Sequence, residues 1–248
     1  MRWDIASMSE HGERKNNEDC VEVAAADAGI CAVLCDGLGG HDAGELASKC
    51  VCESIIADFE KAPEDADIYE LVCELIQSAQ DELLKKQIEL DNQGGMKTTV
   101  CCLLLQNGKA AAAYVGDSRI YQFRKKRLLS RSVDHSVPQY LVNVGEIRES
   151  EIRHHPDRNK LLRVMGSEWE SPRYQRMTLS EPLRDDAFLL CTDGFWEWIE
   201  EKEMESMLKR ASCSEEWLCN MKKLIYTRGS GKKMDNLSAI AIRQVDKG

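Results

Sequence analysis

Along this chain, apolar runs alternate with amphipathic stretches, and one junction organises the rest. Ile30-Cys31-Ala32-Val33-Leu34-Cys35 is apolar on both faces and stops at Asp36. That pattern predicts a buried strand. Gly37-Leu38-Gly39-Gly40 predicts a turn of residues that accept positive φ. From about Asp42, the spacing of Ala47, Cys50, Val51, Ser54, Ile55 and Phe59 predicts an amphipathic helix. Pro63 breaks it. The stripe Ile68, Leu71, Val72, Leu75, Ile76, Ala79, Leu83 predicts a second helix over about 66–90.

Short strands are expected at 3–8 and 20–25, with a polar loop from His11 to Asp19 between them. Beyond Gly94-Gly95, apolar runs at 98–106 and 109–115 flank Asn107-Gly108, a strong hairpin signal. Gly116-Asp117-Ser118 then leads into a strand at 119–123, so three successive antiparallel strands are expected. Residues 132–160 carry Pro138, Gly145 and Pro156 and read as one or two short helices in an irregular flap. A short strand follows near 174–178. Ala187-Phe188-Leu189-Leu190-Cys191-Thr192 repeats the opening pattern, a buried strand that ends in Asp193-Gly194. Helices at 201–210 and 214–227 and a last strand at 237–243 complete an α+β layering with helices outside sheets. No linker or composition shift divides the chain, so one domain over 1–248 is expected.

Composition narrows the function classes. The 248 residues are 43% hydrophobic and 31% charged, which suits an ordinary globular core. The net charge of −10 argues against nonspecific nucleic-acid binding. There is neither an apolar run long enough to span a membrane nor an apolar signal core near the start, so a cytoplasmic protein without membrane attachment is expected. The eleven cysteines include no C-x-x-C pair and fall mostly in apolar runs, where they act as reduced core thiols.

The candidate chemistry lies in carboxylates at strand boundaries. Alone, Asp36 reads as a cap on the following turn. Strand, glycine turn and helix also describe a dinucleotide site, but Gly37-x-Gly39-Gly40 is not G-x-G-x-x-G, and an Asp stands where an anion would bind. Asp19, Asp36, Asp117, Asp193 and Asp235 together change the reading. Their settings suggest convergence at one end of a sheet system, where they would repel one another unless cations held them. Oxygen ligands without a His or Cys set point to magnesium or manganese. The five histidines lack H-E-x-x-H spacing.

These pieces resemble the metal-dependent Ser/Thr protein phosphatases of type 2C in their compact bacterial form. The matching segments run in the family's order: His11-Gly12-x-Arg14 to Asn17-Glu18-Asp19, Asp36-Gly37-Leu38-Gly39-Gly40-His41, Thr98-Thr99, and Gly116-Asp117-Ser118-Arg119. Asp134-His135-Ser136, Leu161-Leu162-Arg163-Val164-Met165-Gly166, Thr192-Asp193-Gly194 and Asp235-Asn236 follow. The resemblance implies a four-layer α-β-β-α sandwich of two antiparallel sheets flanked by helices. It implies Mn2+ or Mg2+, with two ions tightly bound and a third held more weakly. Asp36 and the Gly37 carbonyl, with Asp19, Asp193 and Asp235, would hold the first two ions. Asp117 would help hold the third, sharing Asp193. Arg14 matches the phosphate-binding arginine, and a bidentate guanidinium suits a phosphate dianion.

The sequence departs from some members at Leu38, where they carry a histidine proposed to protonate the leaving oxygen. His41, three residues on, is the candidate proton donor; His135 reads as structural, at the base of the flap. The implied activity is hydrolysis of phosphoserine and phosphothreonine in phosphoproteins, among them a cognate Ser/Thr kinase, by a monomeric enzyme. Another phosphoester, or a catalytically silent binding domain, are the competing readings.

Overall fold

The computed structural model describes residues 2–26, 29–39, 43–183 and 185–245. Two antiparallel sheets lie face to face. One runs in the order β1 (Arg2–Glu10), β11 (Leu237–Val245), β10 (Asp186–Cys191), β7 (Arg119–Arg124), β8 (Arg127–Arg131). The other runs β2 (Asp19–Ala26), β3 (Gly29–Leu38), β5 (Val100–Gln106), β6 (Lys109–Val115), β9 (Gln175–Met177), and the short β4 (Lys97–Thr98) pairs with the end of β3.

The two-residue period of the strands sorts side chains into three apolar layers. Cys31, Val33 and Cys35 join Cys102 and Leu104 against α1 (Ala43–Phe59) and α2 (Ile68–Glu89). Ala32 and Leu34 point the other way and meet Phe188, Leu190, Ile240 and Ile242 between the sheets. Tyr121, Leu189, Ala239 and Ala241 pack outward against α5 (Glu201–Arg210) and α6 (Ser214–Gly229), which bring Met204, Trp217, Met221 and Ile225. The expected α-β-β-α layering is thus present. The helix edges follow local chemistry: Asp67 accepts a hydrogen bond from the Tyr69 N–H and opens α2 one turn after Pro63. All eleven cysteines are free thiols, six of them buried.

Two expectations need correction, and one strand had not been expected at all. Strand 119–123 does not pair with 109–115. Gly116, at φ +108°, turns the chain out of one sheet, and β7 joins β10 in the other. The expected turn at Gly37-Leu38 is instead a continuation of β3, where Gly37 pairs with Thr98 and Leu38 with Lys97. Asp36 is therefore inside the strand. Edge strand β8 had no sequence signal, because its two-residue hairpin is built by Lys125 and Lys126, both at positive φ (49° and 61°) without a glycine.

The flap does hold a short helix, α3 (Val137–Asn143), and a single 3₁₀ segment (Glu149–His154). It is tied down more firmly than its composition suggests, since Asp134, His135 and Ile152 are buried.

Leu34 fills the seam between the sheets with no exposed surface. Leu34→Ala should cost about 2–5 kcal/mol of unfolding free energy in urea titration. A loss under about 1 kcal/mol would mean that the sheets do not depend on this seam.

Candidate metal centre

The alternation that buries Ala32 and Leu34 between the sheets also turns Asp36 to that side, at the end where β3 emerges. Asp19 stands opposite Asp36 in the β2–β3 register, so the two carboxylates share a face. The facing sheet contributes Asp193, which opens the single-turn α4 (Asp193–Trp196) directly after β10, and Asp235, just before β11. Asp117 lies on the crossover between β6 and β7. A cleft of about 370 Å³ forms there, lined by Arg14, Asp36, Gly37, Asp117, Asp193 and Asp235, with Lys15, Asn159 and Leu161 on its walls. A larger groove runs over the outer faces of α1 and α2, but its carboxylates are interspersed with Lys49, Lys85 and Lys86, and Glu53 and Glu82 pair with the first two.

Hydrogen bonds and close packing hold the main chain around the carboxylates. Asn236 clamps the loop that carries Arg14: its Nδ2 donates to the carbonyls of His11 (3.1 Å) and Asn16 (2.9 Å), and its Oδ1 accepts from Glu18 N–H (2.9 Å). Gly12, at φ +57°, lies so close to the Asp235 carbonyl that a Cβ would fall 2.1 Å from it. Arg14 Nη2 donates to Asp235 Oδ2 at 2.5 Å, while the Arg14 side chain stays 60% exposed at the cleft. Asp117 is fixed from behind, where Trp196 Nε1–H donates to its carbonyl at 3.0 Å. That indole stacks under the Arg119 guanidinium at 3.5 Å, and Arg119 makes a buried bidentate pair with Asp134 (2.9 and 2.7 Å).

A profile of the protein phosphatase 2C family matches residues 9–229. The chain belongs to the protein phosphatase 2C family. Serine/threonine protein phosphatase PstP of Mycobacterium tuberculosis is 29% identical over 245 residues, covering 97% of this chain; the chain spans 45% of the length of that protein. Serine/threonine phosphatase Stp of Listeria monocytogenes is 32% identical over 203 residues, covering 79% of this chain and 74% of the relative. The crystal structure of the PstP catalytic domain in complex with two manganese ions matches with a TM-score of 0.83 at 26% identity, covering 98% of this chain and 99% of that one.

Within this type 2C fold, burial sets the electrostatics of the carboxylates. Burial, then repulsion from Asp19, Asp193, Asp117 and Asp235, pushes Asp36 well above the usual carboxylate range. Burial and then Asp193 raise Asp117 in the same way. Asp19 is pushed up to about 8, chiefly by burial, although the Ser238 and Thr192 hydroxyls partly offset it. Asp193 rises to about 6 through burial and Asp235, against a hydrogen bond from Gly194 N–H.

The donor set fits a hard cation. It is all oxygen, it carries excess negative charge, and buried Asp19 Oδ1 has no hydrogen-bond partner among the described residues. Among the described residues, no three His, Cys, Asp or Glu side chains close into a finished cage. Asp235 is drawn toward Arg14, and Asp193 Oδ1 accepts from its neighbour Gly194 N–H at 2.6 Å.

The structure thus brings together Arg14, Asp19, Asp36, Gly37, Asp117, Asp193 and Asp235. His41 lies outside the described residues. His135 is buried as a neutral ring: its Nδ1 accepts from Gly116 N–H (3.1 Å), so Nε2–H donates to Gln175 Oε1 (3.0 Å), and it stacks on Tyr114. Sequence reasoning gave no role to Thr98, Thr99, Ser118, Arg119, Asp134, Trp196 or Asn236. For all but Trp196, presence in the ordered motifs was the available signal.

The raised carboxyls predict how pH acts on chelator-treated protein. Unfolded, each titrates near 4. Folded, Asp193 and Asp19 keep their protons up to about 6 and about 8, so the folded state binds more protons across that window. Stability is then highest at the acid side and falls as pH rises through those values. Melting temperature should fall from about pH 5 to about pH 9, and Asp19→Asn should flatten the upper part. A flat or rising profile would contradict this electrostatic picture.

Proposed function

We propose that this chain is a metal-dependent protein serine/threonine phosphatase, acting as one catalytic domain that hydrolyses phosphoserine and phosphothreonine. The observation that carries the reading is the meeting of Asp36, Asp117, Asp193 and Asp235 with an exposed Arg14 at one cleft, with Asp19 paired opposite Asp36 behind it. Membership of the type 2C family and the two manganese ions of the PstP catalytic domain support it.

Asp36 and the Gly37 carbonyl, with Asp19, Asp193 and Asp235, would hold two ions of Mn2+ or Mg2+, and Asp117 with Asp193 a third, weaker one. Such ions supply Lewis acidity, acidifying water and neutralising charge on phosphoryl oxygens. Arg14 grips the phosphate through a charge-assisted fork, on a loop that Asn236 holds still. The cleft is lined by oxygen donors, which suits in-line attack by water and leaves no role for a thiol. Lys15, Asn159 and Leu161 on the walls meet the peptide around the phosphoresidue. The substrates are phosphoproteins, including a cognate Ser/Thr kinase, and the enzyme works as a cytoplasmic monomer. Among the described residues, no helix is long and apolar enough to cross a membrane.

Release of p-nitrophenol from p-nitrophenyl phosphate, with and without Mn2+, separates an enzyme from a silent binding domain. Asp36→Asn should lower manganese-dependent turnover by about 10²-fold or more while the protein stays folded by circular dichroism. Near-parent turnover at saturating Mn2+ would sink the assignment. Arg14→Ala should raise KM about 10-fold or more and lower kcat less, because a phosphate grip acts in ground and transition states alike. An unchanged KM in steady-state assays would remove Arg14 from substrate binding.

A further inference from the structure

The main chain of Asp36 is paired in an unusual way. Leu34 pairs with Cys101 and Gly37 with Thr98, so in this register Asp36 stands opposite Thr99. In such an antiparallel pair, each N–H donates to the other residue's carbonyl. Half of that exchange is present, because Thr99 N–H donates to the Asp36 carbonyl at 2.9 Å. The other half is replaced. Asp36 N–H donates to the Thr99 side-chain hydroxyl at 3.0 Å, and the Thr99 carbonyl accepts from the Thr98 hydroxyl at 2.9 Å. The Thr98 hydroxyl also lies 2.8 Å from the Asp36 carbonyl. β4 accordingly ends at Thr98 and β5 starts at Val100, with Thr99 at the break.

The same hydroxyl reaches further. Thr99 Oγ1 is 2.8 Å from Ser118 Oγ, and both residues are buried. A hydroxyl has one proton and two lone pairs. With one lone pair taken by Asp36 N–H, Thr99 still has what it needs to bond Ser118 in either direction. On the other side of Asp117, the Thr99 methyl packs so closely on Gly116 that a Cβ there would come within 2.5 Å of Cγ2. Thr99 therefore touches the Asp36 main chain and both neighbours of Asp117.

We propose that Thr99 is a positioning residue for the centre: its hydroxyl sets the stance of Asp36 and, through Ser118, fixes the spacing between Asp36 and Asp117. The proposal rests on reading these carboxylates as cation ligands. Asp36 sits on β3, Asp117 sits on the crossover by which the chain leaves that same sheet for the other, and the two repel each other. A hydroxyl bridge from the Asp36 main chain to Ser118, the next residue after Asp117, opposes that repulsion and keeps both carboxylates at one cleft. A main-chain carbonyl could bond Asp36 N–H equally well, but it could not extend to the crossover.

The test is calorimetric titration of Mn2+ into the parent protein, Thr99→Val, Thr99→Ser and Ser118→Ala, with melting in chelator as the control for folding. Valine keeps the shape and removes the hydroxyl, whereas serine keeps the hydroxyl and drops the methyl. Thr99→Val should weaken Mn2+ binding by about 10-fold or more, Thr99→Ser should stay within about 3-fold of the parent, and Ser118→Ala should fall between them. Should Thr99→Val fail to fold, Thr99→Ser and Ser118→Ala still decide the matter. Parent-like affinity in Thr99→Val, or a loss in Thr99→Ser as large as in Thr99→Val, would overturn the role of the hydroxyl. Parent-like affinity in Ser118→Ala would overturn the link to Asp117. A parent protein that takes up no Mn2+ fails the cation reading itself, before any variant is compared.

Discussion

The crowding of half-buried carboxylates is the constraint on which the rest of this structure depends. Removal from water sets most of the cost of the Asp36 charge, and repulsion from Asp19, Asp193, Asp117 and Asp235 adds to it. Left to themselves, such groups would turn to water. The sandwich prevents this by tying each one into the margin of a sheet: Asp36 and Asp19 on paired strands, Asp193 and Asp235 at the facing ends of β10 and β11. The apolar seam of Leu34, Phe188, Leu190, Ile240 and Ile242 holds the two margins together.

Short hydrogen bonds convert that packing into a fixed site. Thr192 illustrates the economy: its hydroxyl donates to Asp19 Oδ2 at 3.1 Å and accepts from Ser238 N–H at 3.0 Å, so one side chain joins the two sheets beneath the cleft. Behind Asp117, the crossover runs past Trp196 and the Arg119–Asp134 pair. Those charges are almost fully buried and satisfied in both directions, an arrangement that resists movement because separating them would strand a charge. The open side of the cleft is different in kind. Arg14 and Lys15 ride on an exposed loop strapped by Asn236, so the Arg14 guanidinium keeps some freedom while the carbonyl anchors of its loop do not.

Much of this was legible from residues close in sequence. The run from Ile30 to Cys35 announced a buried strand, Asn107-Gly108 announced its hairpin, and the α2 stripe marked its own buried face. The limits are equally physical. A strand that is apolar on both faces cannot say which face Asp36 will share, and that is settled only by which helices cover Cys31, Val33 and Cys35. Gly116-Asp117-Ser118 looks like any strand-to-strand turn, and only pairing with β10 reveals that it changes sheets. Arg119 and Asp134 are 15 residues apart, and Asn236 reaches a loop more than 200 residues away, so neither partnership leaves a local trace. The family motifs placed the carboxylates in order. The hydroxyls and amides that hold them became readable only in three dimensions.

The central claim is that these five carboxylates are gathered to hold cations. Crystals grown with Mn2+ and measured near the manganese absorption edge test it most directly, because anomalous difference density reports the metal without reference to catalysis. The account predicts two strong peaks in the cleft beside Asp36, within reach of Asp19, Asp193 and Asp235, with any weaker third peak beside Asp117. Manganese density elsewhere on the surface, or none in this cleft, would contradict it.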